Sequence, residues 1–159
     1  MSDSTDTGLR FFYFDVAHAI SVHDWIIEHS GGLAGTKDVG QLASPLEHIQ
    51  NDCYYPELED KLTHLVFSIN KNHAFNDGNK RSSLVLGAYF LELNGFDYVV
   101  KRFVKEMENI AVWVADNVID KDLLYQIISS VLYEDVYSEE LKLSILEVIH
   151  NAEQMKQGK

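Results

Sequence analysis

The stretch His73-Ala74-Phe75-Asn76-Asp77-Gly78-Asn79-Lys80-Arg81 decides how this chain is read. It gathers a candidate general base, a hard-cation ligand, a glycine, two amide side chains and two adjacent cations, a combination that few structural purposes require. Upstream, Leu58, Leu62, Leu65 and Ile69 recur at steps of four, three and four, which predicts an amphipathic helix with His73 closing its inward face. Downstream, Ser82 to Leu93 (SSLVLGAYFLEL) is apolar nearly all round, as expected of a central, buried helix. Gly78, Asn79, Lys80 and Arg81 then fall at the first turn of that helix. Unpaired backbone amides and the positive dipole end make such a turn an anion site. The predicted layout is helix, loop, anion-binding helix start.

Each residue of the stretch has a chemical reading. Histidine can be neutral near neutral pH and still take a proton, which makes His73 the candidate base for an incoming hydroxyl. Asp77 offers a hard oxygen anion suited to Mg²⁺ shared with nucleotide phosphates, or alternatively a helix N-cap. Asn79 and the amides around Gly78 can bond phosphate oxygens, and Arg81 can grip a phosphate with two parallel bonds. Phe75 is expected to pack and Asn76 to be exposed. His23 falls on the apolar stripe of an earlier helix and reads as a core histidine.

The stretch resembles the signature of the Fic/Doc superfamily, His-x-Phe-x-(Asp/Glu/Asn)-(Gly/Ala)-Asn-(Gly/Lys)-Arg, whose members move phosphate-containing groups from nucleotides onto protein hydroxyls. Lys80 stands where AMP-transferring members have glycine, and Leu84 where they carry a second arginine. Lysine in place of that glycine, with Asn76-Asp77, looks like the Doc branch. That resemblance implies an all-α fold, a compact Fic/Doc helical domain with a short flap-like loop or hairpin. It further implies a toxin kinase that uses ATP and Mg²⁺, phosphorylates a Ser/Thr hydroxyl of a translation factor, elongation factor Tu, and is neutralised by an antitoxin protein. Lys80 would set the nucleotide so that the γ-phosphate meets the base. The site is then His73 as catalytic base, Gly78, Asn79, Lys80 and Arg81 on the nucleotide phosphates, and Asp77 on the metal. The glycine-bearing segment Gly31 to Leu42 resembles the flap that aligns a target's main chain, with Thr36, Lys37 and Asp38 within reach of substrate. Ser130 to Asp135 matches the family's inhibitory helix only in part, and the second arginine that such a helix pairs with is replaced by Leu84, so the resemblance implies control from a separate chain. The alternatives are an AMP-transferase and a catalytically silent protein-binding domain.

Around this centre, Val16, Ile20 and Ile27 mark a first helix ended by Gly31-Gly32. Ser44-Pro45-Leu46-Glu47 reads as a capped helix start, and Pro56-Glu57 as another. Asn94-Gly95 stops the central helix, and Phe96 to Val100 reads as a short strand or an extended connection. Phe103, Met107, Ile110 and Val114, then Leu123, Ile127 and Val131, mark two helices expected to pack on the central one. The chain divides into a disordered tail over residues 1–12, the Fic/Doc domain over 13–133, and a helical extension over 134–159.

With 159 residues and 46% hydrophobic content the chain supports one domain with a real core. One cysteine, Cys53, excludes an internal disulfide. The net charge of −12 argues against binding the nucleic-acid backbone, while leaving room for a local basic site at Lys80-Arg81. Neither a signal peptide nor an apolar run of membrane-spanning length is evident, so a cytoplasmic location without membrane association is expected.

Overall fold

In the computed structural model, which describes residues 10–158, seven α-helices run in the order α1 (Val16–Ser30), α2 (Gly40–His48), α3 (Leu58–Lys71), α4 (Asn79–Leu93), α5 (Val100–Ala115), α6 (Lys121–Tyr133) and α7 (Glu139–Gln157). Among these residues there is no strand, only one isolated antiparallel bridge between Thr36 and Phe75. The all-α expectation holds.

Local chemistry sets the helix ends. The Asp15 carboxylate accepts the His18 N–H at 2.8 Å to start α1. At α3, the Asp60 carboxylate reaches back to the Glu57 N–H at 3.0 Å, and at α7 the Ser138 hydroxyl accepts the Leu141 N–H at 3.1 Å. Gly95, at φ 82°, follows the last turn of α4. The Asn94 side chain there bonds both backbone groups of Phe12, at 2.8 and 3.1 Å. Of the expected tail 1–12, residues 1–9 thus lie outside the described residues, and Phe12 is tied to the body.

Helix α4 packs against α1, α3 and α5. Leu62, Leu65, Leu86, Phe90, Leu91, Phe103 and Met107 are fully buried between these elements, each worth roughly 1.5–3 kcal/mol of apolar burial. The helices approach closely at Gly87, where a Cβ would meet Val66 at 2.9 Å and Phe103 at 3.0 Å. Helix α6 lies on α3 and α5 rather than on the central helix. A polar cluster joins α2, α3 and α6. Lys121 Nζ donates to His64 Nδ1 at 2.7 Å, and His64 Nε2 lies 3.0 Å from His48 Nδ1. Burial, then the charges of Lys121 and His48, hold the His64 pKa down at about 4.

Two boundaries differ from expectation. Helix α2 begins at Gly40, not at Ser44, because the Asp38 carboxylate accepts the Gly40 N–H at 3.1 Å and starts the turn one step earlier; Pro45 sits inside the helix. The segment after α4 is helical rather than extended, a 3₁₀ turn over Asp97–Val99 that runs into α5.

Candidate active site

Helix α3 ends at Lys71, with Asn72 as its cap. His73 therefore lies beyond the helix, exposed and in the left-handed region at φ 52°, not on the inward face. A left-handed histidine is uncommon and marks a position held by its surroundings. The chain then dives inward. Ala74 and Phe75 are buried, and the Phe75 ring stacks on that of His23 with centroids 3.8 Å apart.

The loop from Ala74 to Gly78 is irregular backbone in a buried place, so its polar groups need partners. Asn79 meets two of them, its Oδ1 accepting the Phe75 N–H at 3.1 Å and its Nδ2 donating to the Phe75 carbonyl at 3.0 Å. His23 Nε2 donates to the Asp77 carbonyl at 2.7 Å. The segment between α1 and α2 supplies the rest. The Ala74 carbonyl accepts the N–H groups of Lys37 and Asp38 at 2.7 and 3.0 Å, and Asn76 N–H donates to Gly35 O at 3.1 Å.

Asp77 is anchored from two sides. Its Oδ2 accepts the Leu33 N–H at 3.0 Å and its Oδ1 the Gly78 N–H at 2.8 Å. These two backbone bonds, in that order, hold its carboxyl below the usual carboxylate range, with Arg81 adding to the effect. Close approach requires glycine at Gly32, where a Cβ would lie 2.7 Å from Asp77 Oδ2. Gly78, at φ 79°, turns the chain into α4. Arg81 Nη1 donates to Ser30 Oγ at 2.6 Å and to Gly31 O at 2.9 Å, so the cation clamps the end of α1.

His73, Asp77, Gly78, Asn79, Lys80 and Arg81 line a single cleft of about 290 Å³, with Asn70 and Ala115 on its wall. The predicted residues of the signature are thus together. Thr36, Lys37 and Asp38 do not line this cleft; they border the loop through backbone bonds, and one oxygen of the Asp38 carboxylate accepts the Gly40 N–H. The Asn79 amide is closed on Phe75, leaving its backbone N–H as the group available to an anion. For Mg²⁺, the described residues offer no cluster of three or more His, Cys, Asp or Glu side chains. Asp77 alone, ionised and 44% exposed, fits the one-carboxylate mode in which substrate phosphates and water complete the shell.

Sequence reading did not find Asn70 or the Ser30–Arg81 link, and it gave His23 only a packing role. Their partners lie up to 54 residues away in the chain, and helical spacing carries no signal of such bonds.

A lysine and an arginine in the first turn of α4 line one cleft with an exposed histidine and with a carboxyl held below its usual range. The Fic/DOC family model matches residues 13–91. The "Toxin Doc" of Mycolicibacterium smegmatis is 33% identical over 96 residues, 58% of this chain and 74% of that protein. The chain belongs to the Fic/DOC family. It is also similar to the "Protein kinase doc" of Escherichia phage P1, 36% identical over 80 residues, 48% of this chain and 63% of that protein's length. None of the helices among the described residues is long and apolar enough to cross a membrane.

Proposed function

We propose that this chain is a Doc-like toxin kinase that transfers the γ-phosphate of ATP to a serine or threonine hydroxyl of a protein target, elongation factor Tu by resemblance. The carrying observation is the single cleft lined by His73, the ionised Asp77 and the first turn of α4 with Lys80 and Arg81. A lysine at that turn, rather than the glycine of AMP-transferring relatives, and the names of the two relatives support phosphate over AMP. At about 290 Å³ the cleft lies at the small end of ligand sites, which suits a phosphate tail whose nucleoside extends outward.

In the proposed reaction the phosphates lie on the Gly78 and Lys80-Arg81 turn. His73 removes the proton of the target hydroxyl, whose oxygen bonds to the γ-phosphorus as the bond to the bridging oxygen breaks and ADP departs. Asp77 would hold Mg²⁺, which neutralises charge on the phosphates when bound. Thr36, which forms the bridge with Phe75, and Lys37 beside it would align a target's backbone.

Neutralisation by an antitoxin belongs to the same reading, as does a cytoplasmic location. A mainly apolar groove of about 460 Å³, formed by Val22, Leu84, Val85, Tyr89 and Val104, shares Arg81 with the cleft. It suits an amphipathic segment that reaches the site, and basic residues on that segment would match the acidic chain. Nucleotide access that is equal in the complex and in the free protein would count against docking there.

The test is incubation of the protein and its His73→Ala variant with elongation factor Tu, Mg²⁺ and ATP labelled separately at the γ- and α-positions. Label from the γ-position that vanishes in the variant is expected. Label from the α-position would replace this reading with AMP transfer.

A further inference from the structure

A histidine that serves as a base needs one ring nitrogen bare and the other protonated, and the protonated one needs an acceptor to hold it. His73 makes no such bond among the described residues. The side-chain acceptors that line its cleft can be taken in turn. Both oxygens of Asp77 are on backbone N–H groups, and Asn79 Oδ1 is on the Phe75 N–H. Asn76 is exposed, with its nitrogen fixed on Ala34 O at 3.1 Å.

Asn70 differs from all three. It sits in the last turn of α3 and is only 2% exposed. Its Nδ2 donates to Ala111 O at 2.9 Å, which fixes the orientation of the amide because a carbonyl can only accept. Its Oδ1 is buried without a partner. An acceptor left bare in a wall costs stability unless something meets it in the working state. His73 follows three residues later, its left-handed backbone setting the ring at the mouth of the same cleft.

We propose that Asn70 is a positioning residue for His73: its Oδ1 accepts the Nδ1–H of the imidazole, fixes the tautomer and leaves Nε2 bare toward the target hydroxyl. This rests on reading His73 as the base. The structure does not show this bond; the ring would turn to make it in the free protein, before substrate binds. The two halves of the amide then have separate work. The nitrogen braces α3 against α5, and the oxygen serves the histidine.

That division gives the test. An unrestrained neutral imidazole prefers its proton on Nε2, so nitrogen NMR of His73 at a pH where the ring is neutral reports the bond directly, with neither ATP nor target present. The wild-type chain is expected to show the Nδ1–H form in the majority. Asn70→Asp, which keeps an acceptor but loses the donor to Ala111, should retain that form; Asn70→Ala should return the ring to Nε2–H. If both variants behave alike, or the wild type already shows Nε2–H, Asn70 is only a brace and the proposal is overturned. Because the readout needs no phosphotransfer, that outcome would leave the kinase reading standing. A failed kinase assay with the tautomer pattern intact would do the reverse.

Discussion

The signature loop and helix α7 hold opposite places in this molecule. The loop has no regular structure, yet Ala74 and Phe75 are buried and their backbone groups are bonded by Asn79 and by the segment from Gly35 to Asp38. Helix α7 is 19 residues of regular structure in which Leu141 alone is buried, while Leu143 and Leu146 are more than 60% exposed. Regularity and stability are therefore separate properties here. The loop is over-determined by partners from distant segments, whereas α7 satisfies its own backbone and needs the body little.

The sharpest way to test the contrast is to separate function from stability within the loop itself. His73→Ala should lower transfer by about 10²–10⁴-fold while leaving Tm unchanged, because the side chain is exposed and unbonded; paired rate and thermal measurements decide it. Asn79→Ala should do the opposite kind of damage. Removing the two bonds to buried Phe75 should cost about 1–3 kcal/mol, read from the urea midpoint, and an unchanged midpoint would mean that the loop holds its shape without them.

A third measurement reaches the polar cluster that joins α2, α3 and α6. His64 is held neutral, with a pKa near 4 against an ordinary 6.5, so the unfolded chain takes up its proton first. The stability it contributes is present above pH 6.5 and lost as the pH falls toward 4. Allowing for its partial exposure, that is about 1 kcal/mol, or a few degrees in Tm. His64→Gln should flatten this part of the Tm–pH curve. The smallest effect belongs to α7, where Leu146→Ser should stay within about 0.5 kcal/mol. A larger loss, or a change in sedimentation, would show that this face is covered in solution and would end the contrast.

Much of this was legible from residue spacing. The steps between Leu58 and Ile69 located α3, and the apolar run after Arg81 located α4. The site residues lie together because they are neighbours in sequence, which spacing reveals. Spacing could not reveal what each side chain bonds. Asn79 reads as a phosphate ligand, and its side chain here bonds the Phe75 backbone, since an amide that can bond an anion can equally bond a backbone. Asp38 looked free for substrate and instead starts α2, while Ser44 and Pro45 imitate a helix start within a helix already under way. The stretch from Phe96 to Val100 reads as a short strand or an extended connection, yet it curls into a 3₁₀ turn packed against α4 and α5. Asn70 gave no sign, because a lone amide on an apolar helix is indistinguishable from a solvent-facing one until the opposing helix is in place.

The flap joins the loop almost wholly through main-chain groups, at Gly35, Lys37 and Asp38. Every amino acid except proline carries those same groups, so the attachment is indifferent to what the flap displays. Side chains at Thr36 and Lys37 can therefore change from one lineage to another without disturbing His73. On the proposed reading, in which Thr36 and Lys37 meet the target, target choice could change independently of the chemistry at His73.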